Sequence, residues 1–177
     1  MKYKLSEAGN TLRNQINKKY PKRKKESDGW IGDAKHKNTK SDHNPDIKTG
    51  YVRAIDVDSD LGIDSWLLAD EIRKTAITDK RIKYVIHNKK IASLKSKWKW
   101  EVYKGKNPHT SHIHISFTEL GDQDKSKFNI IFPDVVNKKV KTTSKTDLKS
   151  NTDFNKLITL LSLCEAEINR LKEKYSK

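Results

Sequence analysis

Cysteine is almost missing from this sequence: Cys164 stands alone among 177 residues. An intrachain disulfide is therefore excluded, and so is a cysteine-rich zinc site. His, Asp and Glu are left as the side chains able to hold an ion. Long apolar runs are missing too. No stretch approaches the roughly 18 residues of a membrane-spanning helix. The segment Met1-Lys2-Tyr3-Lys4-Leu5 opens no apolar run of signal-peptide length. There is no glycine-rich nucleotide loop and no internal repeat. Apolar residues (33%) do not outnumber charged ones (34%), so the core is modest and part of the chain is expected to lie outside it. Acids are scarce: 23 Asp and Glu face 38 Lys and Arg, a net charge of +15. This balance favours an anionic partner, whether nucleic acid, cell-wall polymer or outer-membrane lipid, and does not choose among them.

What is present falls into three stretches. Residues 1–136 read as one folded domain. Leu5, Ala8, Leu12, Ile16 and Tyr20 are close to helical spacing, with Ser6 and Glu7 at the start and Pro21 as the stop. The basic run Lys22-Arg23-Lys24-Lys25 reads as a solvated loop or a polyanion contact. Residues 27–50 are loop-like in composition. Strands are expected over 52–58, 82–87 and 112–117, with shorter ones near 91–93 and 98–103. A helix over 64–76 should bury Trp66, Leu67, Ala69, Ile72 and Ala76. The order of elements predicts an α+β domain with a small antiparallel sheet and flanking helices. Residues 137–151 read as a polar, basic linker. Over 152–177, Phe154, Leu157, Leu161, Cys164, Ile168, Leu171 and Tyr175 alternate in steps of three and four, a heptad seam suited to self-association or docking.

The chemistry concentrates in the histidines. In His109-Thr110-Ser111-His112-Ile113-His114, a strand would set His112, His114 and Ser116 on one face and Ile113, Ile115 and Phe117 on the other. Two imidazoles fixed side by side on a rigid strand suit a metal and a proton carrier. In Ala54-Ile55-Asp56-Val57-Asp58, the acids share the face opposite Ile55 and Val57, and a cation would relieve their repulsion. His43 sits in the stiff turn Ser41-Asp42-His43-Asn44-Pro45. Two histidines and one aspartate complete the three-ligand set of a catalytic zinc site, with Asp46 and Asp58 as alternatives to Asp56. Trp98, Trp100 and Tyr103 would floor a substrate groove or pack in the core. His36 would line the cleft, and His87 reads as structural or surface.

The order of these motifs resembles the zinc peptidase group that contains lysostaphin, the D-Ala-D-Ala metallopeptidases and the phage L-alanyl-D-glutamate peptidases. Ser27 to Asp33, Lys40-Ser41-Asp42-His43-Asn44-Pro45-Asp46, Val52 to Asp56, Arg81 to Ile86 and Asn107-Pro108-His109-x-x-His112-x-His114 are similar to a phage and actinobacterial branch of D-alanyl-D-alanine carboxypeptidase-like proteins. The likeness spans roughly residues 5–118. It departs from the commonest form in a longer gap between His43 and Asp56. The resemblance implies that His43, Asp56 and His114 bind Zn2+, that His112 is a general base, and that His109 stabilises an oxyanion. It implies an endolysin or virion-associated lysin that cuts bacterial peptidoglycan. Made in the host cytoplasm, it would act at the cell wall, carried on the virion through a virion protein held by residues 152–177. Arg53 is then a candidate anchor for a substrate carboxylate, with His36 and Trp100 in the groove. A structural virion protein with a peptidase-like fold, or a basic nucleic-acid-binding protein or nuclease, are the competing expectations.

Overall fold

A computed structural model describes residues 3–33 and 39–135. His36, the 137–151 linker and the 152–177 heptad segment lie outside the described residues. The fold is α+β. Strand β1 (Lys4–Leu5) is followed by α1 (Glu7–Lys19), β2 (Tyr51–Val52), β3 (Ala54–Asp58), α2 (Ser65–Thr75), β4 (Ile82–His87), β5 (Lys90–Ser93), β6 (Glu101–Val102) and β7 (His112–Phe117). The main sheet has the order β3-β7-β4-β5-β6 and is antiparallel throughout. β1 and β2 make a separate parallel pair.

Local chemistry explains the boundaries. Ser6 caps α1 by accepting from the Gly9 amide at 3.2 Å, and Asp64 caps α2 by accepting from the Trp66 amide at 2.9 Å. Both helices carry basic residues in their last turn, as the helix dipole favours. β4 turns into β5 through Asn88 and Lys89, both left-handed (φ 44° and 64°), which is the geometry of a tight two-residue hairpin. Cross-strand register fixes the two faces of the sheet. Ile55, Val57, Val85, Ile113, Ile115 and Phe117 join Leu12 and Ile16 of α1 and Leu68, Ala69 and Ile72 of α2 in one core. Asp56, His114 and Ile86 lie in one row on the other face. Ala54, Ser116 and Tyr84 form the next row, and Asp58 opposes His112.

Four expectations need correction. The strand over 52–58 is two strands, because Arg53 breaks it: Val52 pairs with β1 and Ala54 begins the main sheet. On α2 Leu67, expected on the buried face, is 51% exposed and its neighbour Leu68 is buried instead, while Ala69, Ile72 and Ala76 are buried as expected. The alternation over 98–103 yields strand pairing only at Glu101–Val102, because left-handed Lys97 and Trp98 turn the chain. Arg23, in the run read as solvated, is buried. Its guanidinium donates to Asn17 (2.9 Å), to the Lys24 carbonyl (2.8 Å) and to both oxygens of Asp28 (2.7 and 2.5 Å). Asp28 in turn accepts from the amide of Asp58, so this buried pair anchors the end of β3.

The chain beyond β7 also belongs to the domain. Gln15 and Phe128 exchange two hydrogen bonds, and the Tyr20 hydroxyl donates to the Pro133 carbonyl. Arg81 donates to the Ser126 carbonyl. Asp70 on α2 ties the β5–β6 hairpin down by accepting from Trp100 Nε1 (2.8 Å) and Arg73 Nε (2.6 Å). Arg73 also donates to the Trp98 carbonyl. The Arg73, Trp100 and Lys74 bonds hold the Asp70 carboxyl down at about 2 against the opposing effect of burial. A depressed carboxyl stabilises the fold above its unfolded pKa near 3.8 and loses that contribution as pH falls through about 2. Asp70→Asn should therefore cost on the order of 1–2 kcal/mol at pH 7. Urea melts of both proteins should converge as the pH approaches 2.

Candidate metal centre

His43, Asp56 and His114 meet on the open face of the sheet. One donor atom from each lies within 4.8 Å of the others. His43 Nε2 is 3.2 Å from Asp56 Oδ2 and 3.1 Å from His114 Nδ1, and His114 Nδ1 is 3.0 Å from Asp56 Oδ1. Both histidines are buried. Asp56 and His114 are direct cross-strand neighbours on β3 and β7. His43 comes from the loop before β2. The Gly32 amide donates to its carbonyl at 2.9 Å, and its ring is hydrogen-bonded to the Trp30 backbone. That loop also covers the free edge of β3: Gly29 and Asp56 exchange two backbone bonds. A Cβ at Gly29 would come within 3.3 Å of Asp56 Oδ2, so a side chain there would press on the ligand carboxylate.

The surrounding bonds settle which atoms face inward. Ser116 Oγ donates to Asp42 and lies 2.9 Å from His114 Nε2. A hydroxyl whose proton goes to a carboxylate must accept from the imidazole. His114 therefore carries a proton on Nε2 and turns Nδ1 to the cluster. Asp42 is fixed by Lys83 (2.9 and 3.0 Å) and by Tyr84. Burial raises the Asp42 carboxyl and these bonds outweigh it, so it stays below its ordinary range. Tyr84 stacks on His114 with ring centroids 5.5 Å apart. Burial raises the Asp56 carboxyl as well, but the hydrogen bonds and charges of His114 and His43 reverse this and hold it well below the usual carboxylate range. Burial lowers the His43 ring, and its bond to Asp56 more than compensates, leaving it raised.

The donor set fits a metal ion. Nitrogen and oxygen lone pairs converge at 3.0–3.2 Å, which requires a shared proton or cation between them. Bonds of about 2.0–2.1 Å in a tetrahedral zinc site imply ligand–ligand edges of roughly 3.3 Å, within a few tenths of those spacings. The alternatives to Asp56 are occupied elsewhere. Asp46 accepts from the Lys48 and Thr49 amides in its own turn, and Asp58 accepts from the Ser27 and Asp60 amides.

The other singled-out residues divide by position. His112 Nε2 lies 3.6 Å from Asp56 Oδ1, with Ser111 Oγ 3.1 Å from its Nδ1. His109 is buried, left-handed (φ 50°) and packed against the rings of His112, His114 and Tyr103. Among the described residues, its Nδ1 has no hydrogen-bond partner. Burial and the neighbouring histidines push His109 down to about 4, and burial lowers His112 too. His43, Asp56, His114, His109 and Tyr103 line a cleft of about 320 Å³ whose walls include Lys40 and Lys106. Arg53 and Trp100 are not among its lining residues. Arg53 makes a two-pronged pair with Asp122 at 2.8 and 2.7 Å, and Trp100 packs against Trp66 with the rings tilted by 36°. His87 is buried beneath the site, where its Nδ1 donates to the His112 carbonyl (3.1 Å) and its Nε2 accepts from Ser65 Oγ (3.0 Å). Sequence reasoning passed over Tyr84, Asp42 and Ser116 as supports of His114. The signal for Ser116 was its place on the His112/His114 face. Comparison with known proteins finds no matching family model, no matching curated protein and no matching solved structure.

Proposed function

We propose that this chain is a zinc-dependent peptidase of bacteriophage type that hydrolyses the stem peptides of bacterial peptidoglycan, as an endolysin or a lysin carried on the virion. The observation that carries this reading is the meeting of His43, Asp56 and His114 at 3.0–3.2 Å, with His112 and His109 against them. These are the motif residues whose order resembles the lysostaphin and D-Ala-D-Ala metallopeptidase group. The cleft suits an extended chain bearing carboxylates, because Lys40 and Lys106 stand on its walls.

When bound, zinc supplies Lewis acidity: it acidifies water and polarises a carbonyl. The rest falls to the chain's own side chains. His112, kept neutral at physiological pH by burial, takes a proton from the attacking water and delivers it to the leaving amine. His109, with its pKa near 4, is neutral as well and donates a hydrogen bond to the carbonyl oxygen as negative charge develops. Tyr103 and Asn107 shape the wall against which the peptide lies.

Mass spectrometry of material released from purified peptidoglycan, with and without a zinc chelator, tests the reading. New peptide ends that vanish with chelator are expected, and they name the bond cut. A protein that holds zinc but releases nothing from several wall types would instead be a structural virion protein. Magnesium-dependent DNA cleavage would replace the peptidase with a nuclease.

A further inference from the structure

We propose that the β5–β6 hairpin and the loop behind it form a docking strip for the phosphodiester-bearing anionic polymer of the cell wall, continuous with the candidate cleft. Residues 88–107 hold seven lysines and a single acid, Glu101. All seven are exposed. Several lysines elsewhere sit on carboxylates: Lys19 pairs with Asp134, Lys24 with Asp60, Lys74 with Glu71 and Lys83 with Asp42. Among the described residues, none of the hairpin lysines makes such a pair. Like charges crowded on one small element repel one another, and an external polyanion relieves that repulsion.

The backbone places this charge beside the site. The Tyr103 amide donates to the Lys89 carbonyl (2.8 Å), the Lys89 amide to the Pro108 carbonyl (2.8 Å), and the Asn88 amide to the His109 carbonyl (2.9 Å). Lys89, Lys90, Lys104 and Lys106 therefore surround the same knot of backbone that holds Tyr103 and His109, and Lys106 reaches the cleft wall. Lys95, Lys97 and Lys99 lie at the other end of the hairpin. The four residues of β5 separate the two groups by about 13 Å. Asp70 and Arg73 pin the hairpin to α2 through Trp100 and Trp98, which gives the strip a rigid backing.

Continuity with the cleft selects the partner. The polymer on the strip must belong to the same matrix as the peptide in the cleft. A cell-wall polymer does, whereas a nucleic acid supplies charge without a peptide bond. This identity rests on the peptidase reading, so the test measures binding alone and the two can fail separately.

The full chain is sedimented with purified wall sacculi that retain their phosphodiester polymers, with sacculi stripped of them by acid, and with duplex DNA. The Lys89→Gln, Lys90→Gln, Lys104→Gln triple variant is compared with a Lys18→Gln, Lys48→Gln, Lys127→Gln control, whose lysines are also exposed. The strip variant should bind intact sacculi on the order of tenfold more weakly at low salt, with a shallower salt dependence, while the control changes by about twofold at most. Stripping the sacculi should weaken the parent protein to the level of the strip variant. Equal losses in the two variants would reduce the effect to net charge and overturn the proposal. Undiminished binding to stripped sacculi, or tighter binding to DNA than to intact sacculi, would overturn it as well.

Discussion

The His114→Ala protein should retain only background zinc after dialysis and show no chelator-sensitive hydrolysis of purified cell wall. His114 is the hinge of the cluster, since its Nδ1 lies 3.1 Å from His43 Nε2 and 3.0 Å from Asp56 Oδ1. Removing it leaves two protein donors where a catalytic zinc site needs three. The change should also be visible without any substrate. If the cluster holds zinc as proposed, the ion at a hundred- to a thousandfold excess over its dissociation constant would stabilise the parent by about 3–4 kcal/mol. For a domain of this size that is a rise in melting temperature on the order of 10 °C. The variant should show no such rise. Because His114 is buried, the substitution could act through folding alone, and Ser116→Ala separates the two effects. That variant keeps the ligand and removes the partner of its Nε2, together with the hydroxyl's bond to Asp42. Its zinc affinity should fall by about tenfold to a hundredfold, as is usual when a ligating histidine loses its outer hydrogen bond. Full zinc binding by both variants would remove the cluster from its proposed role.

The parts of this molecule legible in the sequence are those whose partners are near in sequence or whose periodicity is strong. β7 is legible because six residues alternate without a break. The tight turn at Asn88–Lys89 is legible from turn chemistry, and α1 from its Ser6 cap and apolar spacing. Burial is less legible where a polar group is rescued by a partner. Nothing in Lys22-Arg23-Lys24-Lys25 marks Arg23 as different, yet Asp28 and Asn17 accept its charge inside the domain and its neighbours stay in solvent. On α2 the pattern does not separate Leu67 from the equally apolar Leu68, and of the two only Leu68 is buried. The site divides the same way. Its candidate donors stand out as residue types, but the selection of Asp56 over Asp46 and Asp58 depends on local amides that consume the other two. Arg53 shows the long-range side of the same limit: the partner of this cation beside the motif, Asp122, is 69 residues away.

The His112→Ala protein, by contrast, should keep its zinc and lose its rate. His112 Nε2 stands 3.6 Å from Asp56 Oδ1, outside the 3.0–3.2 Å spacing of the three donors, so the cluster remains complete without it. It lies on the same face of the sheet as Asp56, because Asp58 and His112 are cross-strand partners and Asp56 and His114 are the next pair on that face. A base in that position takes part only in proton transfer. Its loss should therefore lower kcat by on the order of a hundredfold or more and leave KM nearly unchanged. Zinc content, measured on the same preparation, tells the possible roles apart. Lost zinc would make His112 a fourth ligand, and full activity with zinc retained would remove it from catalysis. The Ser111→Ala variant refines the assignment, since Ser111 Oγ touches His112 Nδ1 at 3.1 Å and orients the ring without reaching the cluster. A smaller fall in kcat from Ser111→Ala, again with zinc retained, is the pattern expected if orientation of the His112 ring sets the rate of proton transfer.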